Sequence, residues 1–187
     1  MATEIEAKMK VDNFEPVRTR LKEVGATRAG SVLETNTFFD AADRSLVSAD
    51  KGLRLRRKRD DRTGEEAFVI TVKGPQQKGA LKSREEAEVG VDDGDAARAV
   101  LAALGFDPTI AFEKRRESWV LDGTKIELDE VPVLGKFVEI EGPDEPTVMA
   151  VRAKLNMADA PLIKTGYITM LARHLKETGD PRRQITF

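Results

Sequence analysis

The chain has 187 residues, 40% hydrophobic and 34% charged, a length suited to one domain with a sizeable core and an unusual wealth of ionised groups. Its 31 Lys and Arg oppose 33 Asp and Glu for a formal net charge of -2, which argues against a general nucleic-acid or membrane binder, and no apolar stretch reaches membrane-spanning length. Cysteine is absent, so disulfides and thiolate metal sites are excluded, and the N-terminus lacks the apolar run of a signal peptide; both point to the cytoplasm.

No internal repeat, low-complexity tract or Pro/Gly-rich linker divides the chain, so residues 1–187 read as a single domain. Residues 3–11 alternate: Glu4, Glu6, Lys8 and Lys10 share one face, Ile5, Ala7, Met9 and Val11 the other, which predicts a strand. Asn13 starts a helix with Pro16 in its first turn and Gly25 at its end. Strands are predicted at about 31–39, 52–59, 67–73 and 83–91, and a helix over 92–105 capped by Asp92 or Asp93. Strands at 110–121 and 124–131 flank the turn dipeptide Asp122-Gly123, and another spans about 136–141 before Gly142-Pro143. Helices near 146–156 and 166–177 complete the chain. Eight strands joined mostly by short turns predict an α+β fold: an eight-stranded antiparallel β-barrel or tunnel with helices packed outside.

Alternation sorts the charge. Arg54, Arg56 and Lys58 oppose Leu53 and Leu55; Thr71 and Lys73 oppose Ile70 and Val72; Arg84, Glu86 and Glu88 share a face. Lys114 and Arg116 share another, as do Glu127 with Asp129 and Glu139 with Glu141. A half-exposed antiparallel sheet gives such alternation too. Here, however, nearly every polar-face position is ionised, with acids at the chain's start and in its late strands and cations in the middle ones. If the apolar face turns outward against helices, the charges line a tunnel, where they are costly to desolvate unless paired or met by a ligand. A triphosphate with its metals is such a ligand: Arg and Lys contact phosphate oxygens, and oxygen-only carboxylates suit Mg²⁺ or Mn²⁺. On the opposite faces, Glu85, Glu113 and Arg115 are expected outside.

The motifs resemble a known family. Glu4-Ile5-Glu6-Ala7-Lys8 matches the ExExK signature of the CYTH superfamily, the triphosphate tunnel metalloenzymes. The match continues in order through Leu53-Arg54-Leu55-Arg56, Thr71-Val72-Lys73-Gly74-Pro75, Arg84-Glu85-Glu86, Lys114-Arg115-Arg116 and Leu128-Asp129, and ends with the run from Leu134 to Glu141. It spans about residues 2–175. The Lys-Gly-Pro turn and the last run look most like the class IV adenylate cyclase branch, which often carries Ser-Tyr where this chain has Gly166-Tyr167.

The resemblance implies metal binding by Glu4, Glu6, Glu86, Asp129, Glu139 and Glu141. It implies triphosphate contacts from Lys8, Arg54, Arg56, Lys73, Arg84, Lys114, Arg116 and Lys164, with Lys8, Lys73, Glu6 and Glu141 at the chemistry. It implies Mg²⁺ or Mn²⁺ as cofactor and a small triphosphate such as ATP as substrate, and leaves a homodimer open. A cyclase yields cyclic AMP and pyrophosphate; a triphosphatase directs water at a phosphorus of an inorganic, thiamine or nucleoside triphosphate with the same machinery. Motif style places the cyclase first. A binding module without turnover ranks lower, since holding phosphate alone needs no acid set. A nucleic-acid binder ranks lower still, because the run from Arg54 to Arg59 splits between two faces with no aromatic platform. His174, the single histidine, permits no histidine triad, no P-loop motif occurs, and Trp119, Phe112 and Tyr167 read as core.

Overall fold

The structure is a computed structural model and describes residues 2–187. In chain order it comprises β1 (Ala2–Val11), α1 (Glu15–Glu23), β2 (Thr27–Ala41), α2 (Ser45–Ser48), β3 (Gly52–Asp60), β4 (Glu66–Lys73), β5 (Lys82–Val91) and α3 (Gly94–Ala103). Then follow β6 (Phe106–Leu121), β7 (Thr124–Val131), β8 (Gly135–Gly142), α4 (Glu145–Lys154), α5 (Tyr167–Thr178) and β9 (Gln184–Ile185). The sheet runs β2-β3-β4-β5-β1-β8-β7-β6, and β2 pairs with β6 to close it. Every pairing within that ring is antiparallel; β9 adds to β6 in parallel outside it. The predicted eight-stranded barrel is therefore the observed one.

Its packing is inverted relative to a filled barrel. Outward side chains of β1, β6, β7 and β8 (Ala7, Met9, Trp119, Ile126, Leu128, Val138, Ile140) form the largest apolar cluster, with Leu21 of α1 and Val148 and Val151 of α4. A second cluster joins Phe137 and Val131 to Tyr167, Leu171 and Leu175 of α5, and a third sets Leu53 and Leu55 under Ala97 and Leu101 of α3. Hydrophobic burial thus occurs mostly between strands and helices, and the inward positions are left largely to polar groups, except near α5, where Phe112, Val131 and Phe137 pack against the helix. Among the described residues no helix is long and apolar enough to cross a membrane.

Local chemistry explains the ends of the elements. Asn13 Oδ1 accepts from the Glu15 amide at 3.0 Å, while Asp93 accepts from the amides of Asp95 and Ala96 and so fixes the start of α3. Asp122 and Gly123 both have positive φ, 48° and 74°, the twist a two-residue hairpin needs. Strands β2 and β6 exceed their predicted lengths because they pair with each other almost throughout. Register shifts between Arg28 and Gly30 and between Phe38 and Phe39 skip Ala29 and Thr109, beside Gly30 and Pro108, residues that argue against a strand in the sequence. Two short elements lie outside the predicted set, α2 and β9. Asp40 organises α2 from a distance, its carboxylate accepting from the amides of Leu46 and Val47.

Gly142, where β8 gives way to α4, has no room for a side chain. A Cβ there would sit 2.9 Å from Val148 Cγ2 and 3.1 Å from Thr124 Cγ2, both on fully buried residues. Gly142→Ala is expected to lower unfolding stability by about 1–3 kcal/mol through overpacking, read from the denaturant midpoint at unchanged m-value.

Candidate functional site

Strand parity places the charged side chains inside. Register brings Glu4 opposite Arg84, Glu6 opposite Lys82 and Glu141, Lys8 opposite Glu139, Asn36 opposite Arg56, and Arg116 opposite Asp129. These strands enclose a cavity of about 1330 Å³. Acids from the adjacent strands β1, β8 and β7 (Glu4, Glu6, Glu139, Glu141, Glu127) form one wall. Cations from β3 and β6, on either side of β2, line the rest of this zone, with β6 directly beside β7: Arg54, Arg56, Lys58, Lys114 and Arg116.

The walls neutralise each other. Arg116 donates from Nε and Nη2 to Asp129, at 2.7 and 2.6 Å, and again from Nη2 to Glu139 at 2.6 Å. Asp129 is fully buried and also accepts from Lys114 Nζ and the Tyr167 hydroxyl, each at 3.1 Å. Lys8 lies 3.0 Å from Glu139 and 3.4 Å from Glu6; Lys82 donates to Glu6 at 2.8 Å. Lys73 reaches Glu4 at 3.0 Å and also pairs with Glu86. Arg56 and Lys114 each lie 3.3 Å from Glu34, while Arg54 donates to Thr71, whose hydroxyl donates to Glu88.

The titration behaviour follows from this geometry. Burial pushes Lys114 down, reinforced by the Arg116 charge, and lowers Arg54 to about 10 with Arg56 beside it. Burial opposes ionisation of Glu139, yet Lys8, Arg116 and Lys114 outweigh it and hold the carboxyl well below the ordinary range. Glu34 is likewise held low against burial by Lys114, Arg116 and Arg56. Glu86 goes the other way: burial first, then a hydrogen bond with Glu4, pushes it up to about 7. Glu4 stays low, since that bond together with Lys73 and Lys82 overcomes its own burial. Burial also raises Glu141 and Glu127.

Of the residues the motifs single out, the cavity wall contains Glu4, Glu6, Lys8, Arg54, Arg56, Lys73, Arg84, Glu86, Lys114, Arg116, Glu139 and Glu141. Arg84 turns to the rim, donating to Asp50 and to the Gly74 carbonyl. Asp129 lies behind the wall, under Arg116 and Lys114. Lys164 is not brought to the cavity: it is exposed and donates to the Gly79 carbonyl at 2.6 Å. Glu85 and Arg115 are exposed outside, and Glu113 accepts from the Phe187 amide.

Three inward groups escaped the motif reading: Glu34, Asn36 and Lys82. Lys82 shares the parity of Arg84 and Glu86, so a strand begun one residue earlier would have included it. Tyr167 is buried as expected, yet it also serves the site. Its ring lies 4.1 Å from Lys8 Nζ and 5.4 Å from Lys114 Nζ, a cation–π seat.

Carboxylates supply an oxygen-only donor set of the kind hard divalent cations take. Glu4 and Glu86 fit that use, since both carboxylates already converge on one cation, the Lys73 ammonium. Among the described residues no three acidic or histidine side chains already converge at ligand spacing. The ammonium groups of Lys8, Lys73 and Lys82 stand between the acids.

The family model described as CYTH domain matches residues 2–156. A Methanocaldococcus jannaschii protein named "putative adenylate cyclase" is 32% identical over 138 residues, 74% of this chain and 75% of the relative. Adenylate cyclase CyaB of Aeromonas hydrophila is 29% identical over 107 residues, 57% of this chain and 51% of that protein. A solved Pyrococcus horikoshii structure superposes with TM-score 0.78 at 26% identity, covering 91% of this chain and 99% of that one. A Hippeastrum structure, titled as a "putative adenylyl cyclase" with "a dominant triphosphatase activity", shares the fold with TM-score 0.68 at 19% identity, covering 96% of each chain.

The raised Glu86 gives a pH signature. The folded protein keeps this proton to about pH 7, whereas an unfolded glutamate releases it near 4.5. Its contribution to stability is therefore full below pH 4.5 and is lost as pH rises through 7. In metal-free buffer, the stability of wild type relative to Glu86→Gln is expected to fall steadily from pH 5 to pH 8 in urea titrations. A flat difference across that window contradicts the shared proton.

Proposed function

The chain belongs to the CYTH domain family, and on that premise we propose that it is a metal-dependent enzyme acting on a nucleoside triphosphate, converting ATP to cyclic AMP and pyrophosphate. The observation that carries this reading is the convergence of two charge groups on one cavity, acids on β1, β8 and β7 and cations on β3 and β6, within one closed barrel. The resemblance to the Methanocaldococcus jannaschii and Aeromonas hydrophila proteins, both named for adenylate cyclase, supports it.

Lys8, Arg54, Arg56, Lys114 and Arg116 surround the phosphate chain and stabilise the charge that develops on the departing pyrophosphate. These cations are already fixed in space, so little reorganisation accompanies the reaction. Asp129, from behind the wall, and Tyr167, in the wall itself, set Arg116, Lys114 and Lys8. Glu4, Glu6, Glu139 and Glu141, with Glu86, hold the divalent cation, Mg²⁺ or Mn²⁺. When bound, that ion supplies a Lewis acid for phosphoryl oxygens and an activated oxygen nucleophile. Lys73 and Lys82 pair with Glu4, Glu86 and Glu6 in the free protein and would be available to phosphate oxygens once those acids held the cation.

A second reading has its own support. The Hippeastrum structure names a dominant triphosphatase activity on this fold, and hydrolysis uses the same walls with water as nucleophile. Incubation with ATP, thiamine triphosphate and inorganic triphosphate, each with Mg²⁺ or Mn²⁺, separates the two. Cyclic AMP with pyrophosphate supports the cyclase, inorganic phosphate the triphosphatase, and no product from any of them rejects both. Glu6→Ala and Glu141→Ala are expected to abolish turnover in folded protein. Arg56→Ala should weaken triphosphate binding by about 1.5–3 kcal/mol, the worth of a charged hydrogen bond, and Arg115→Ala, on the outer face, should leave it intact.

A further inference from the structure

The cavity extends beyond its charged zone. Its volume of about 1330 Å³ exceeds the roughly 300–1,000 Å³ of a pocket for a drug-sized ligand. Along β2 the inward positions run Glu34, Asn36, Phe38, and along β6 they run Lys114, Phe112, Ile110, so polarity falls away within one alternation on both paired strands. Helix α5 continues the apolar wall with Ile168, Ala172 and Leu175. The Phe38 and Phe112 rings lie 13° from parallel with centroids 6.1 Å apart. This chamber opens directly into the space between the charged walls.

The border carries two unmet donors. Asn36 is 1% exposed, and its Oδ1 accepts from Arg56 Nε at 3.0 Å, which fixes the amide's orientation. Its Nδ2 then finds no partner among the described residues, and neither does Nε of the buried Arg54, one register along. Buried donors left without acceptors are uncommon and costly in a folded protein. Both of these residues line the cavity where charge gives way to aromatic surface.

We infer that the apolar chamber beneath α5 is the subsite for the organic part of the triphosphate, a flat heterocycle, and that Asn36 Nδ2 donates to an oxygen where that part joins the phosphate chain. This deepens the function proposed above and rests on it. An inorganic triphosphate leaves the chamber empty; a nucleotide fills it and gives the Asn36 donor an acceptor. The direction of the ligand follows: the terminal phosphate lies toward Lys58 and Glu127, the organic group toward α5.

Thermal-shift titrations with ATP and with inorganic triphosphate, both with Mg²⁺, test this on wild type, Asn36→Ala and Ala172→Trp. Ala172 is exposed on α5, so the indole fills the chamber without entering the core; Thr169→Trp, also exposed on α5 and at the cavity wall, replaces it if that variant fails to fold. The half-saturating concentration of ATP divided by that of inorganic triphosphate is expected to rise at least tenfold in Ala172→Trp and about fivefold in Asn36→Ala. An unchanged ratio in both variants overturns the subsite while leaving the triphosphate tunnel standing. If wild type is stabilised by neither ligand, the tunnel reading fails and the subsite with it.

Discussion

No charge inside a closed barrel can stand alone. The strands of this chain turn their ionised faces inward, where an isolated carboxylate or ammonium is strongly disfavoured by desolvation. The fold answers with reciprocal pairing across the interior. Arg116 binds Asp129 and Glu139, Lys8 lies between Glu6 and Glu139, and Lys73 joins Glu4 and Glu86. The apolar faces then cover the outside of the barrel beneath α1, α3 and α4, while α5 packs on inward apolar side chains and lines the cavity. Hydrophobic burial sustains the architecture, and the interior remains available for chemistry.

Segregation gives that interior a direction. Sheet order places β1, β8 and β7 side by side, and β3 and β6 on either side of β2, with β6 adjoining β7. Acids gather on the first group of strands and cations on the second, and Lys8, Lys73 and Lys82 interleave with the acids. On the proposed function, a polyanion carrying divalent cations would satisfy both charge groups at once, its phosphates toward Arg and Lys and its metals toward Glu. On that reading the internal salt bridges are stand-ins, amines between acids where a metal would sit and acids near an Arg where a phosphate would. Asp129 differs. Fully buried behind Arg116, Lys114 and Tyr167, it aims the cations and stays out of the cavity.

Much of this was legible because a strand's side chains alternate with period two. Once β1, β3, β6, β7 and β8 are placed, parity alone decides which charges share the interior, and Glu4, Arg56, Lys114 and Glu139 follow. Parity failed where local composition blurred the strand. In β2 the inward set mixes Glu34 and Asn36 with Phe38, so no clean polar face announced the first two. Elements organised from afar were hidden for another reason: α2 depends on Asp40, several residues upstream, and β9 is two residues long. The Tyr167 hydroxyl depends on where α5 docks, which no local pattern encodes. Lys164 rested on motif order alone, and its side chain turns to the Gly79 carbonyl instead.

Exchange of internal partners for ligand ties these observations together, and manganese binding followed by electron paramagnetic resonance probes it directly. With Lys73 and Lys82 seated among the acids, Mn²⁺ alone should bind weakly, and added inorganic triphosphate should draw those amines away and tighten Mn²⁺ binding by an order of magnitude or more. Equal Mn²⁺ affinity with and without triphosphate would mean that the two walls do not act as one site.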